Sequence, residues 1–301
     1  MADAMTPEEE EALRREVAAA FPGHQGPQLF EQNDLTHIKH VIGVVSGKGG
    51  VGKSLVSGLL ATELARRGAK VGILDADITG PSIPKMFGLS GERIMADGAR
   101  QLMIPVTTKG GIQVVSTNLV LDHETDPVLW RGPVLMGVLK QFWEETEWGE
   151  IDYLIVDMPP GTGDIALTVY QQVPVDGIVI VTSPQDLVQM VVAKAVNMAR
   201  QMDVPVLGLI ENMSYITCPD CGRRIEVFGP SKVAESAQAY DLDVLAQLPI
   251  DPALAAACDK GEIETAAPEG IVDAAVSRIV ETCAVLDAAR YCHLAQRSPP
   301  A

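Results

Sequence analysis

The sequence is poor in basic side chains, in cysteine and in long apolar runs, and each scarcity excludes something. Lysine and arginine total 23 against 40 aspartates and glutamates, a formal net charge of -17. Such a surface repels phosphate backbones, so nucleic acid is not expected as a partner. No uncharged apolar run reaches the ~18 residues of a membrane-spanning helix. The opening stretch, Met1 to Glu16, is acidic and lacks the apolar core of a signal peptide. The closing one, Gln296 to Ala301, lacks the basic amphipathic character that docks on membranes. A cytoplasmic protein without membrane contact is expected. Five cysteines, none before Cys218, do not make a disulfide framework and point instead to metal or thiol chemistry. No internal repeat or low-complexity segment is present.

What is there centres on Val41 to Ser54. Val41, Ile42, Val44 and Val45 read as a buried strand, a glycine-rich turn follows, and Leu55, Leu59, Leu60 and Leu64 begin a helix. The spacing Gly47-x-x-x-x-Gly52-Lys53-Ser54 in a strand–loop–helix context is a phosphate-binding loop. Its glycines let backbone N–H groups converge on phosphate oxygens at a helix N-terminus. Lys53 is expected on the β- and γ-phosphates and the Ser54 hydroxyl on Mg²⁺. A second lysine, Lys48, resembles the signature lysine of the deviant Walker A ATPases. That resemblance implies an ATP-sandwich homodimer in which Lys48 reaches the facing subunit's nucleotide.

The 301 residues, 47% hydrophobic and 21% charged, suit one large α/β domain. Residues 1–38 read as a peripheral helix capped at Thr6-Pro7, with Leu13, Val17 and Phe21 on one face, followed by a linker. Residues 39–290 read as the ATPase domain and 291–301 as a flexible tail. Strands are expected near 41–46, 70–75, 112–116, 151–157, 177–182, 205–210 and 243–248, with helices near 53–67, from 130, over 185–202 and over 270–290. Alternating strands and helices give a three-layer, mostly parallel, doubly wound sheet. After Asp75 and Asp77 the run to Pro84 has too many breakers for a helix. The two carboxylates are read as pointing to opposite sides and holding separate roles. Asp157, closing an apolar strand after the phosphate loop, fits a Walker B carboxylate that holds Mg²⁺.

Cys218-Pro-Asp-Cys221-Gly222 is a knuckle that brings two sulfurs to one centre. Two thiolates do not close a tetrahedral zinc site or a [4Fe–4S] cluster, each of which takes four. A twofold axis would supply the other two. A structural zinc knuckle and a redox-inert pair stay open. Cys258, Cys283 and Cys292 follow no ligand spacing.

Together the phosphate loop, Asp75 to Pro84, Trp130-Arg-Gly-Pro133, Asp157-Met-Pro-Pro-Gly-Thr-Gly-Asp164, Glu211-Asn-Met-Ser214 and the cysteine knuckle closely resemble the Mrp/ApbC family of iron–sulfur cluster carrier ATPases. The resemblance covers about 38–285 and implies the nitrogenase iron protein-like class of P-loop fold. It implies ATP hydrolysis, with Lys48, Lys53 and the water-positioning Asp77 as catalytic residues. Gly47, Lys48, Gly49, Gly50, Val51, Gly52, Lys53, Ser54, Leu55 and, at the adenine, Asn212 would bind nucleotide. Ser54, Asp75 and Asp157 would surround Mg²⁺, while Cys218 and Cys221 would hold a labile [4Fe–4S] cluster bridged between subunits. Apo iron–sulfur client proteins and a cluster scaffold are the implied partners. The extra N-terminal cluster of the eukaryotic scaffold branch is absent. Two other readings differ in class. A zinc-bridged dimeric targeting ATPase would need a methionine-rich groove, and the eleven methionines are scattered. A ParA/MinD-like positioning ATPase would need a basic face or amphipathic tail.

Overall fold

The apolar run ending at Ser46 becomes the central strand, β1 (Thr36–Ser46). In the computed structural model, which describes residues 29–77, 80, 82–98, 100–121, 132–161, 163–184 and 188–297, β1 is buried on both faces. Ile42 and Val44 enter one core; Val41 and Val45 enter the other. Burial on two sides is why the strand reads as continuous rather than alternating hydrophobicity.

The remaining elements follow in chain order. They are α1 (Lys53–Arg66), β2 (Val71–Asp75), α2 (Ile83–Met86), β3 (Met95–Asp97), β4 (Leu102–Ile104), β5 (Val106–Thr107), β6 (Gln113–Val115), α3 (Gly132–Glu144) and β7 (Gly149–Asp157). Then come α4 (Asp164–Gln172), β8 (Gly177–Thr182), α5 (Val188–Gln201), β9 (Val206–Thr217), β10 (Arg224–Ile225), α6 (Val233–Tyr240), β11 (Val244–Pro249), α7 (Pro252–Lys260), α8 (Ile263–Ala266) and α9 (Asp273–Arg297). The main sheet has the order β10-β9-β8-β1-β7-β2-β6-β5, with β11 also on β9. Only β5 and β10 pair antiparallel within it. One core packs α1 and α9 on the sheet; the other holds Phe142, Trp143, Trp148 and the buried side of α5. This is the expected three-layer, mostly parallel, doubly wound sheet.

β7 lies between β1 and β2, so the β1–α1–β2 connection steps over one place. The carboxyl ends of β1, β7 and β2 therefore meet at one edge, where open parallel sheets bind ligands. The register pairs Asp75 directly with Asp157 there.

Several boundaries differ from the sequence reading. β1 starts at Thr36, inside the supposed linker, because buried Thr36, Ile38 and His40 alternate with exposed His37 and Lys39 beside β7. A one-turn helix, α2, does form after Asp77, with Pro84 in the first turn, where its missing N–H costs nothing. Helix α9 runs to Arg297, so residues 291–297 are helical rather than tail. Ala289, Leu294 and Ala295 favour helix, and Pro299 follows. Helices α4, α6 and α7 were not expected, although Asp251 before Pro252 caps α7 by accepting from Ala253 and Leu254 N–H at 2.8 and 3.1 Å. The expected N-terminal helix, Ile78, Thr79, Pro81, Trp130, Arg131, Thr162, Gln185 and residues 298–301 lie outside the described residues.

One polar contact ties α9 to β1. His40 is buried on β1, stacked on Tyr153, with Nε2 at 3.2 Å from Asp287 Oδ2 and Nδ1 at 3.6 Å from Asp176 Oδ2. The Asp176 carboxylate first and the Cys283 side chain second raise the imidazole to about 10, against the opposing effect of burial. A raised imidazole contributes stability that is full below the unfolded value of about 6.5 and is lost as pH climbs through the folded one. Urea unfolding between pH 6 and pH 10 is expected to show stability falling with pH, and His40→Gln should flatten that slope. An unchanged slope in the variant would refute this anchor.

Candidate functional site

The phosphate loop occupies residues 47–52 between β1 and α1, and neighbouring chain packs it so closely that glycine is required. A Cβ on Gly47 would lie 2.3 Å from Val191 Cγ1 on α5, and one on Gly52 would lie 2.1 Å from Asn212 Nδ2. Gly50 and Gly52 are also left-handed, with φ of 79° and 80°. Helix α1 begins at Lys53 with no side-chain cap and no acidic residue in its first turn. Its leading N–H groups and the positive end of the helix dipole are thus left to an anion. Val51 is buried in the core beneath the loop, and Leu55 packs partly against the same core. Gly49 and Gly50 are exposed, Lys48 is half-buried, and the Lys48 carbonyl accepts from Ser46 Oγ at 3.0 Å.

Four predicted side chains meet behind the loop. Lys53 Nζ lies 2.8 Å from Asp157 Oδ1 and 3.6 Å from Asp77 Oδ2, and it is itself buried. Ser54 Oγ donates to Asp157 Oδ2 at 2.5 Å. Two residues without a motif signal complete the shell. Ser57, one turn after Lys53, donates to Asp157 Oδ1 at 2.7 Å, and Ser116, just past β6, donates to Asp75 Oδ2 at 3.0 Å. Neither could be singled out in the sequence, because a serine in a helix or at a strand end has many uses.

Asp75 and Asp77 do not diverge, contrary to the sequence reading. Residues two apart in extended chain share a side, and the Asp77 N–H donates to Asp75 Oδ1 at 3.2 Å. Both carboxylates act on Lys53. Burial first, then the neighbouring Asp157 charge, pushes the Asp75 carboxyl well above the usual carboxylate range, against the opposing pull of Lys53 and the Ser116 hydroxyl. After Asp157, the Gly161 N–H donates to Ser46 C=O at 2.8 Å, and Gly161 is left-handed at φ 82°. This turn is laced to the end of β1 and flanks the loop.

Asn212 sits at the other side of the loop. It is buried and donates from Nδ2 to Val51 C=O at 2.9 Å. Six residues further along β9 comes the cysteine knuckle, between β9 and β10. Cys218 N–H donates to Arg223 C=O and Gly222 N–H to Cys218 C=O, both at 2.9 Å, while Gly222 is left-handed at φ 70°. Hydrogen bonding from the backbone of Cys221, then of Asp220, pulls the Cys218 thiol below its usual value. Cys221 is exposed and Cys218 half-buried. Arg224 lies over the Tyr215 ring at 4.3 Å, and Ile225, Val227 and Phe228 are exposed on the same excursion. Among the described residues, no three or more His, Cys, Asp and Glu side chains gather as a ready metal site. Cys258 and Cys283 lie apart from the knuckle in apolar surroundings.

Residues 37–284 match the family described as NUBPL iron-transfer P-loop NTPase. An iron–sulfur cluster carrier protein of Clostridium perfringens is 50% identical over 76% of this chain and 82% of its own. A carrier of the same name from Aquifex aeolicus is 48% identical over 78% of this chain, which spans 64% of that longer relative. A nucleotide-binding protein of Archaeoglobus fulgidus, solved with ADP, superposes with TM-score 0.69 at 43% identity, over 78% of this chain and 92% of its own.

Two substitutions test the electrostatics with opposite signs. A raised Asp75 carboxyl penalises the fold in full above its folded value, and the penalty fades as pH falls from there to the ordinary unfolded carboxylate value. Asp75→Asn is therefore expected to stabilise by on the order of 1 kcal/mol. Lys53→Met, which strands two buried carboxylates, is expected to destabilise by about 3 kcal/mol. Urea midpoints at pH 7 in chelator, without nucleotide, check both; changes of the same sign would refute the account.

Proposed function

The chain belongs to the iron-transfer P-loop NTPase family, and on that footing we propose that it binds and hydrolyses ATP and carries a [4Fe–4S] cluster, held between two copies, to apo-proteins. The observation that carries this reading is one strand, β9, with the phosphate loop against Asn212 and a thiolate-favouring knuckle at its end. Relatives named as cluster carriers support the cargo.

The residues present suit ATP·Mg²⁺. The uncapped start of α1 and the glycine positions receive phosphate oxygens. Lys53 exchanges part of its hold on Asp157 and Asp77 for the β- and γ-phosphates. Mg²⁺ would be held by the Ser54 hydroxyl with Asp157 and Asp75 beside it, and it neutralises charge on the phosphate oxygens. Asp77, next to Lys53 and partly exposed, is the residue that orients the attacking water. Lys48 reaches across to the nucleotide of a second copy. Asn212 contacts adenine through Oδ1, since Nδ2 is engaged by Val51.

The cargo is bound by sulfur. One chain offers Cys218 and Cys221, and a homodimer offers the four thiolates that a [4Fe–4S] cluster takes. The exposed Ile225, Val227 and Phe228, which follow the knuckle on the same excursion, offer apolar surface suited to excluding water from such a junction. A cluster scaffold supplies the cargo and apo iron–sulfur proteins receive it. Among the described residues no helix is long and apolar enough to cross a membrane.

Anaerobic reconstitution with iron and sulfide, followed by visible absorption and metal analysis, tests the cargo. About four irons per two chains are expected, with loss of the chromophore in Cys221→Ala. About one zinc per two chains without a chromophore would replace the carrier reading with a zinc-tied dimer.

A further inference from the structure

Glu211 precedes the adenine candidate Asn212, and no part of the nucleotide reading uses it. Its side chain is fully buried. Oε2 accepts from Ser214 Oγ at 2.6 Å and from Gln247 Nε2 at 2.9 Å, while Oε1 accepts from Ser231 Oγ at 2.8 Å. Two hydroxyls and an amide thus offset the desolvation of a buried carboxylate. The placement of these donors is informative. Ser214 lies on β9 before the cysteine excursion, Ser231 lies after it, and Gln247 is on β11. One carboxylate therefore closes the base of the whole excursion that carries Cys218 and Cys221.

The residue next to Glu211, Asn212, holds the phosphate loop. Glu211 pairs with Thr182 on β8 and Gln247 on β11, and is in register with both. Immediately beyond it the β11 register slips, so that Tyr215 pairs with Pro249, and Met213 is left-handed at φ 58°. This bulge redirects the chain between Glu211 and the knuckle. Within it, Asn212 Nδ2 bonds Val51 C=O, at the place where Gly52 has no room for a side chain. A displacement of the loop must carry Asn212, and Asn212 is covalently joined to the residue that clamps the hairpin base.

We propose that Glu211 is a positioning residue that couples the two sites: nucleotide at the phosphate loop changes the exposure of Cys218 and Cys221 through the Asn212–Glu211 step and the Ser214–Ser231–Gln247 clamp. The inference rests on the nucleotide-binding part of the function above and not on the cargo. It is a packed, hydrogen-bonded route, the physical form such coupling takes. Coupling is reciprocal, so a metal bound at the knuckle changes nucleotide affinity by the same factor.

The test needs no iron. Metal-free protein is alkylated with iodoacetamide with and without saturating Mg²⁺ and a non-hydrolysable ATP analogue, and the Cys218 and Cys221 rates are read by peptide mass spectrometry. Binding of the analogue is measured separately by calorimetry. In the native protein the nucleotide is expected to change the knuckle rate by about 5-fold or more, the usual scale of coupling between sites. In Glu211→Gln, which keeps an acceptor on one side only, the change should shrink to within about 2-fold with nucleotide affinity retained. Ser231→Ala removes one arm of the clamp and should act in the same direction, while Ser231→Thr, which keeps the hydroxyl, should restore the response. Coupling that persists in both Glu211→Gln and Ser231→Ala overturns the proposal. So does a native protein that binds the analogue without any change at the knuckle, an outcome that leaves the carrier function standing. A native protein that does not bind the analogue overturns the nucleotide reading and this inference with it.

Discussion

Three carboxylates compete for one ammonium at the carboxyl edge of the sheet. Lys53 is buried between Asp157 and Asp77, with Asp75 next to them. Everything around the phosphate loop is arranged to tolerate this excess of negative charge. Ser54 and Ser57 donate to Asp157, Ser116 donates to Asp75, and the Asp75 carboxyl is biased toward its neutral form. A protein interior selected for stability alone would not place two buried carboxylates opposite each other on adjacent strands. The proposed receipt of Mg²⁺ with a polyphosphate would account for the arrangement, its cost in stability being the cost of readiness.

The sheet topology makes this concentration of charge possible. β1, β7 and β2 are separated in sequence but adjacent in space, and each delivers its final residue to the same edge. Because β1 is sandwiched between two cores, the loop that leaves it starts from a rigid frame. Tight packing of Gly47 on Val191 and of Gly52 on Asn212 then fixes the loop from two sides.

Much of this was legible in the sequence, and the reasons are specific. The phosphate loop and the terminal aspartates are local patterns at strand ends, and buried parallel strands such as Gly177–Thr182 are apolar throughout, so periodicity and motif agree. The knuckle is legible for the same reason. Ser57, Ser116 and Ser231 were not, because their partners lie 100, 41 and 20 residues away and nothing local distinguishes them. The relation of Asp75 to Asp77 was misread although strand alternation contained the answer. The short helices α4 and α6 carry too few turns for a clear helical period, and their existence depends on the sheet they cover.

The contact between His40 and Asp287 has a consequence for how the domain can be handled. It joins the strand that enters the fold to the helix that leaves it, on the side of β1 away from the phosphate loop. Six residues of extended β1, roughly 20 Å, separate His40 from Ser46. The first half of β1 and Asp287 of α9 are thus joined at one pole, and the chemistry faces the other. A fluorescent reporter placed on the exposed Val285, two residues before Asp287, would therefore sit clear of the nucleotide edge.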